Sequence, residues 1–346
     1  MNQDQENLLK EIEQLLVGNY SQAISEVGQK LVENIVLIRN EEFLSTLEDL
    51  LYEAYPEETL KNRKRYDDSD KHSDNILMAK IDEMLAAGEV TEARFAMEDF
   101  IRSLDSDFDQ YNPKPGQRQL SIFDLVGRFE FLLHEEAGMQ LLPTHRDFSK
   151  IYQTYAKVLL QANERKEAAD AYQQALLWHP YQVTMIYDLA ALYLDMDQYG
   201  MAYAMILKGL KYSIERSALA RGYACLAKFY AGKGDLEAAM NFAKISLRWK
   251  ENEGATDLLE SLKEEGLEVE EPLTNKEVAQ ILQDYKLDQF PSDAALCKLV
   301  NMAQAAVELG NMKTARFYFK LYQSLTQGQE VAADAVIANL QRQLNM

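Results

Sequence analysis

The feature that most constrains this chain of 346 residues is an internal repeat of helical pattern. The stretches KVLLQANERKEAADAYQQALLWHP, YLDMDQYGMAYAMILKGLKYS and LAKFYAGKGDLEAAMNFAKISL align as a helix, a short polar turn and a second helix. Two sets of alanines repeat with the same spacings of 34 and then 37 residues: Ala156, Ala190 and Ala227 in the first helices, and Ala168, Ala202 and Ala239 in the second helices. Because two separate positions agree, the sequence predicts successive helical hairpins.

Apolar residues elsewhere recur at three- and four-residue spacing, and the chain has only 7 prolines. No stretch alternates between apolar and polar residues as a half-buried strand does, so we expect no β-strand. A lone hairpin cannot bury both of its faces, and about three are needed for a stable stack. The sequence therefore predicts an all-α fold, a right-handed superhelical solenoid of antiparallel helical hairpins.

The same pattern divides the chain into six regions. We expect N-terminal hairpins over 1–55, a charged flexible loop over 56–75, divergent repeats over 76–148 with a loop near 109–119, the three best-matching units over 149–253, further divergent units over 254–329, and a capping helix over 330–346. The first loop, PEETLKNRKRYDDSDKHSDN, is almost free of apolar residues and cannot bury a helical face.

The 34-residue unit resembles the tetratricopeptide repeat. In that family the second helix carries a small residue, an aromatic residue and another small residue, and it closes with proline. Ala168, Tyr172, Ala175 and Pro180 fill these four places. Later units diverge, with Gly209 standing for the second small residue. The resemblance implies stacked hairpins with a concave groove, and a non-catalytic scaffold or adaptor that binds a protein or peptide there.

In this family, ligand contacts commonly come from the second, fifth and ninth positions of each first helix. The resemblance therefore implies three trios of groove residues: Lys150, Gln153 and Lys157, then Thr184, Tyr187 and Ala191, then Arg221, Ala224 and Lys228. Spacings of three, four and seven residues place each trio on one helical face. The four cations would hold an acidic segment or a C-terminal carboxylate by charge-assisted hydrogen bonds, with Tyr187 giving apolar contact.

The distribution of charge is uneven along the chain. The formal net charge is -20, yet residues 149–253 hold thirteen Lys and Arg against eleven Asp and Glu. A strongly acidic chain lacks the basic footprint that binds phosphate backbones, so we expect no nucleic-acid partner. No apolar stretch approaches the ~20 residues of a membrane span, and two cysteines suit a reducing compartment. These features favour a cytoplasmic protein that does not bind membranes.

Motifs for chemistry are missing from the sequence. The four histidines show no paired metal spacing, and HEEAG at His134 lacks the second histidine of a zinc-binding helix. The stretch GYACLAKFYAGKGD lacks the GxxxxGK[ST] order of a phosphate-binding loop. We therefore predict no metal, no cofactor and no catalysis.

Two other functions stay open. One is a regulatory receptor that changes conformation when a peptide binds, and the other is an enzyme built on a helical-repeat scaffold, which would need clustered titratable groups in a pocket. The predicted groove cations also have two simpler explanations. They would be the solvated face of a solenoid, or they would be covered by the acidic segment 263–272.

Overall fold

The structure is a computed structural model that describes residues 3–16, 20–34, 70–104, 113–267, 272–326 and 334–344, together with residues 43, 46, 47, 50, 51, 54 and 55. Most of the described chain is helical. The helices are α1 (Gln3–Leu15), α2 (Tyr20–Glu33), α3 (Asp70–Ala86), α4 (Val90–Ser103), α5 (Leu125–His134), α6 (Phe148–Gln161), α7 (Arg165–Trp178), α8 (Val183–Asp195), α9 (Tyr199–Lys211), α10 (Arg216–Gly232), α11 (Leu236–Trp249), α12 (Glu253–Glu264), α13 (Asn275–Asp284), α14 (Asp293–Glu308), α15 (Met312–Thr326) and α16 (Asp334–Leu344).

One turn geometry joins the helices of the hairpins α3–α4, α6–α7, α8–α9, α10–α11 and α14–α15. Each turn contains one residue with left-handed backbone: Gly88, Asn163, Asp197, Gly234 and Gly310. The N–H of the following residue donates to a carbonyl five residues earlier, which closes the end of the first helix. A fully buried alanine follows five residues after each turn residue: Ala93, Ala168, Ala202, Ala239 and Ala315.

These turns explain the repeat seen in the sequence. Gly, Asn and Asp are the residues that tolerate left-handed backbone, so the local sequence sets where each hairpin reverses. The alanine that follows lets the second helix approach its neighbours closely. The predicted array of successive helical hairpins is confirmed. The right-handed superhelix stays a prediction.

Two short strands correct the expectation of no β-strand. β1 (Gln117–Leu120) and β2 (Gln140–Pro143) pair in parallel, and α5 connects them. The N–H of Ser121 donates to the carbonyl of Trp178 at 2.8 Å, which ties β1 to the end of α7. Strands of four residues are too short to give an alternating pattern, and a helix separates the two strands in the sequence. The sequence therefore does not predict them.

Two boundaries in the structure differ from the expected ones. α3 begins at Asp70, so residues 70–75 of the expected loop 56–75 are helical. β1 occupies residues 117–119 of the expected loop near 109–119. Residues 113–116 form neither helix nor strand, and residues 56–69 and 109–112 lie outside the described residues.

The C-terminal hairpin α14–α15 packs against much earlier parts of the chain. Tyr318 donates a hydrogen bond to the carbonyl of Leu125 at 3.3 Å, across 193 residues of sequence. The Tyr318 ring centroid lies 6.1 Å from that of Phe129 in α5. Arg216, at the start of α10, donates to the carbonyl of Ser324 at 3.3 Å. α5 therefore joins the central hairpins to the C-terminal hairpin.

We expect Gly209→Ala to destabilise the protein, because a Cβ there would lie 2.3 Å from the Tyr187 ring. Overpacking a buried site typically costs about 1–3 kcal/mol of unfolding free energy. Gly200→Ala in the same helix is the matched control, since no atom lies within 4 Å of its Cβ. Alanine's higher helix propensity should stabilise that variant by up to about 1 kcal/mol. Urea unfolding followed by circular dichroism compares the two, and equal midpoints would contradict this packing.

Candidate functional site

A cavity of about 420 Å³ lies between α8, α10 and the start of α12, and we call it the α10 groove. Its floor consists of small or apolar residues that are buried or half-buried: Ala191, Leu194, Ala220, Ala224 and Cys225. Its rim is mainly polar and charged: Ser217, Arg221, Lys228, Lys250, Glu251, Asn252 and Gly254. The first helices of successive hairpins therefore frame an apolar depression with cations at its edge.

Arg221 lies on the α8 side of the groove and is held there by three contacts. One guanidinium nitrogen donates to Asp188 Oδ1 at 2.5 Å, and another donates to the carbonyl of Thr184 at 3.3 Å. Its guanidinium carbon lies 5.8 Å from the ring centroid of Tyr187. Because Asp188 already neutralises much of its charge, Arg221 is a weaker attractor for an anion than a solvated lysine.

Lys228 and Lys250 lie on the α12 side of the groove, and both are exposed. Within the described part of the chain neither forms an ion pair. The Lys228 ammonium lies beside Gly254 in the first turn of α12. Asn252 caps this helix, since its Oδ1 accepts from the Ala255 N–H at 3.0 Å. The positive end of the helix dipole thus adds to the two ammonium groups.

The prediction that Tyr187 lines the groove is wrong. Tyr187 has no exposed surface, and its hydroxyl is hydrogen-bonded to Ser213 Oγ at 2.9 Å. Its ring occupies the space left by the missing side chains of Gly209 and Gly222. Burial raises the pKa of its hydroxyl far above the usual range. Tyr187 is therefore part of the core that supports Arg221, and it presents no surface to a ligand.

The three candidates on α6 lie outside the α10 groove. Lys150 donates to Asn75 Oδ1 at 2.9 Å, which links α6 to α3. Lys157 is exposed and Gln153 is half-buried. The structure therefore brings four of the nine predicted groove residues, Ala191, Arg221, Ala224 and Lys228, into one cavity, and whether these residues bind a ligand stays a prediction.

Sequence reasoning missed the contribution of the α11–α12 connection. Lys250, Glu251 and Asn252 line the groove from this loop. The sequence pattern that would locate this connection is weak, because Glu251 stands where the repeat pattern expects proline and the next unit is divergent. The polar run KENE before a helix is typical of a cap, yet its position against α10 depends on how α12 stacks.

A second unusual feature is a buried carboxyl group on α5, beside a histidine of the same helix. The Glu130 side chain has no exposed surface, and its Oε2 lies 3.0 Å from His134 Nε2, at an angle that is poor for a hydrogen bond. Burial raises the pKa of Glu130 to about 7, although the nearby His134 and Lys211 side chains act in the opposite direction. The neighbouring Glu135 is held by Arg118 and Tyr181. Glu130 is therefore a carboxyl group that changes charge near neutral pH.

α5 itself is anchored at its first turn. Asp124 accepts from the N–H of Gly127 at 2.7 Å and from His179 Nε2 at 3.2 Å. Although burial opposes its ionisation, these hydrogen bonds lower the pKa of Asp124 to about 2. The helix that carries Glu130 and His134 is thus fixed to the end of α7 by an ionised cap.

Neither a metal site nor a membrane span emerges from the part of the chain that the structure describes. Within those residues there is no group of three or more His, Cys, Asp or Glu side chains that could hold a metal ion. None of their helices is long and apolar enough to cross a bilayer.

Comparisons with known proteins add little about function. No protein-family model and no curated protein matches the chain. Among solved structures, pilF of Pseudomonas aeruginosa is similar with 14% identity and a TM-score of 0.37, over 78% of this chain and 96% of that one. A tetratricopeptide repeat protein from Parabacteroides merdae is similar with 13% identity and a TM-score of 0.37, over the full length of both chains. The fold assignment rests on the helices and turns of this chain itself.

We expect the unfolding free energy of the wild type to fall, relative to Glu130→Gln, as the pH rises from about 4.5 to about 7. The sign follows because the folded protein keeps a proton on Glu130 that the unfolded chain releases in this interval. The slope is at most about 1.4 kcal/mol per pH unit. Urea unfolding across the interval measures it, with Glu136→Gln as the exposed control. Parallel curves for wild type and Glu130→Gln would contradict the raised pKa.

Proposed function

We propose that this protein is a non-catalytic interaction scaffold or adaptor that binds an acidic protein segment in the α10 groove. The observation that carries the proposal is the pairing of an apolar floor with the unpaired ammonium groups of Lys228 and Lys250 within the described chain. Such a surface fits a short segment with one apolar side chain and nearby carboxylates. The repeats would form a rigid frame, so the groove would lose little conformational entropy when a ligand binds.

Charge along the chain supports an acidic ligand at this place. Residues 149–253 carry more Lys and Arg than Asp and Glu, whereas the whole chain has a net charge of -20. The α10 groove lies within that region. The remainder of the chain is strongly acidic and would repel an acidic segment. Residues 149–253 are therefore the most favourable region for such a segment to bind.

A C-terminal carboxylate is the form of ligand that we favour. Lys228 lies next to the first turn of α12, where backbone N–H groups and the helix dipole favour negative charge. Lys250 lines the same end of the groove. We propose that the carboxylate binds between these two lysines, and that the side chain of the last residue lies on Ala220 and Ala224.

The chemistry of the groove is consistent with binding alone. Cys225 is its one thiol among the lining residues, and burial raises the pKa of this thiol to about 11, so it stays protonated. Arg221 and Lys228 oppose this effect only in part. Neither the receptor nor the enzyme alternative has a specific observation in its favour, and we do not propose either.

The proposal is tested by selecting short random peptides, displayed with a free C-terminus, on the wild-type protein. We expect acidic sequences to be selected. Lys228→Glu with Lys250→Glu should weaken their binding by at least about tenfold, because two attractive charges become repulsive. The matched control is Lys150→Glu with Lys157→Glu, which changes charge equally on α6 and should leave affinity nearly unchanged.

Two further measurements make this test decisive. Circular dichroism and urea unfolding establish that both double variants are folded, and amidation of each selected peptide separates a C-terminal carboxylate from acidic side chains. Selection of neutral or basic peptides, or equal affinity for wild type and the Lys228/Lys250 variant, would sink the proposal. Loss of binding on amidation supports the carboxylate form, and retention of binding limits the proposal to acidic side chains.

We also expect Asp188→Asn to strengthen binding of the selected peptides by about two- to fivefold. The substitution removes a negative charge near the groove and leaves more of the Arg221 charge for the ligand. Asp195→Asn, at the exposed end of the same helix, is the control for the change in net charge. Isothermal titration calorimetry measures both variants, and weaker binding by Asp188→Asn would show that Arg221 needs this partner to be positioned.

A further inference from the structure

A larger cavity, of about 720 Å³, lies between α9, the end of α5 and residues 286–293, and we call it the α9 cavity. It shares no lining residue with the α10 groove. Its lining includes His134, Lys208, Lys211, Tyr212, Lys286 and Phe290. Its volume falls in the range of about 300–1,000 Å³ that is typical of small-molecule sites.

Three lysines face this cavity, and the described chain provides no ion pair for any of them. Lys208 is half-buried, and burial lowers its pKa without an acidic neighbour that offsets the effect. Asp288 and Asp293 also line the cavity, yet they leave an excess of positive charge. A half-buried ammonium group without a partner is costly, and a bound anion would compensate for it.

The α5 side of the cavity includes His134 and, behind it, the carboxyl group of Glu130, whose charge depends on pH. His134 lines the cavity, and Glu130 lies fully buried behind it. Lys211 and Tyr212 are the charged or titratable neighbours of Glu130 on α9. Because burial favours the neutral form of Glu130, this carboxyl group cancels the lysine charges less than an exposed carboxylate would.

The cavity also offers apolar surface beside the cations. Tyr212 and Phe290 line it, and Lys211 Nζ lies 5.8 Å from the centroid of the Tyr212 ring. Leu207 and Pro291 extend this surface. A ligand that fits such a lining has an anionic end for the lysines and an apolar body for the aromatic rings.

We propose that the α9 cavity binds a small molecule that carries phosphate or carboxylate groups on an apolar or aromatic body. The anionic groups contact Lys208, Lys211 and Lys286, and the body lies against Tyr212 and Phe290. This site is independent of the peptide groove, so the protein would respond to two ligands of different kinds.

The test uses the full chain and two probes, adenosine triphosphate for phosphate and benzene-1,3,5-tricarboxylate for carboxylate. Isothermal titration calorimetry should detect binding of at least one probe to the wild type. Lys208→Gln with Lys211→Gln should weaken that binding by at least about tenfold. The control, Lys157→Gln with Lys166→Gln, removes the same charge from exposed positions on α6 and α7 and should bind as the wild type does.

Each outcome decides the proposal. Binding that the cavity variant loses and the control keeps supports it, and the probe that binds more tightly identifies phosphate or carboxylate. Failure of both probes to bind, an equal loss in both variants, or unchanged binding by the cavity variant would overturn it. If Lys208→Gln with Lys211→Gln does not fold, Lys286→Gln on the opposite wall replaces it and should weaken binding by about threefold or more.

Discussion

The packing of the Tyr187 ring against two glycines is the contact on which the centre of this structure depends. A Cβ on Gly209 or on Gly222 would lie 2.3 Å from an atom of this side chain, so the ring occupies space that other residues would fill. Its hydroxyl is hydrogen-bonded to Ser213, which in turn donates to the carbonyl of Gly209 at 2.8 Å. The ring therefore fixes how closely α8, α9 and α10 approach.

The α10 groove is a consequence of that spacing. α8 and α10 are held together at their buried faces, and the depression that Ala191 and Ala224 line lies between these two helices. Arg221 lies over the same ring and donates a hydrogen bond to Asp188. A tyrosine that touches no solvent thus helps to position Arg221 at the groove.

Most of the hairpin array could be predicted because its determinants are local. A left-handed turn residue such as Asp197 and a buried alanine such as Ala202 lie five residues apart, and both can be recognised in the sequence. The error at Tyr187 has the opposite cause. Its burial depends on Gly209 and Gly222, which belong to two other helices, and no helical periodicity within α8 distinguishes a buried tyrosine from one in a groove.

The strands and the C-terminal packing, which sequence reasoning missed, depend on long-range contacts. β1 and β2 pair across α5, and Tyr318 reaches Leu125 over 193 residues. Such contacts leave no periodic signal, since each partner contributes only a few residues. Sequence reasoning missed Lys250 for the same reason, because this residue lines the groove beside Lys228 only through the stacking of α12. The repeat predicts the hairpins, but the two proposed sites lie where hairpins meet other elements.

The net charge of -20 imposes a common requirement on both proposed sites. At physiological salt the field of distant carboxylates decays over about 8 Å, so the acidic flanks repel an anion only when they are close to it. Attraction must therefore come from lysines within a few ångströms of the ligand, such as Lys228 in the groove and Lys208 in the cavity. Partial burial strengthens the contact that Lys208 would make, since low local polarity reduces screening. In an acidic repeat protein, selectivity for anions is thus a property of cavities between helices rather than of the surface as a whole.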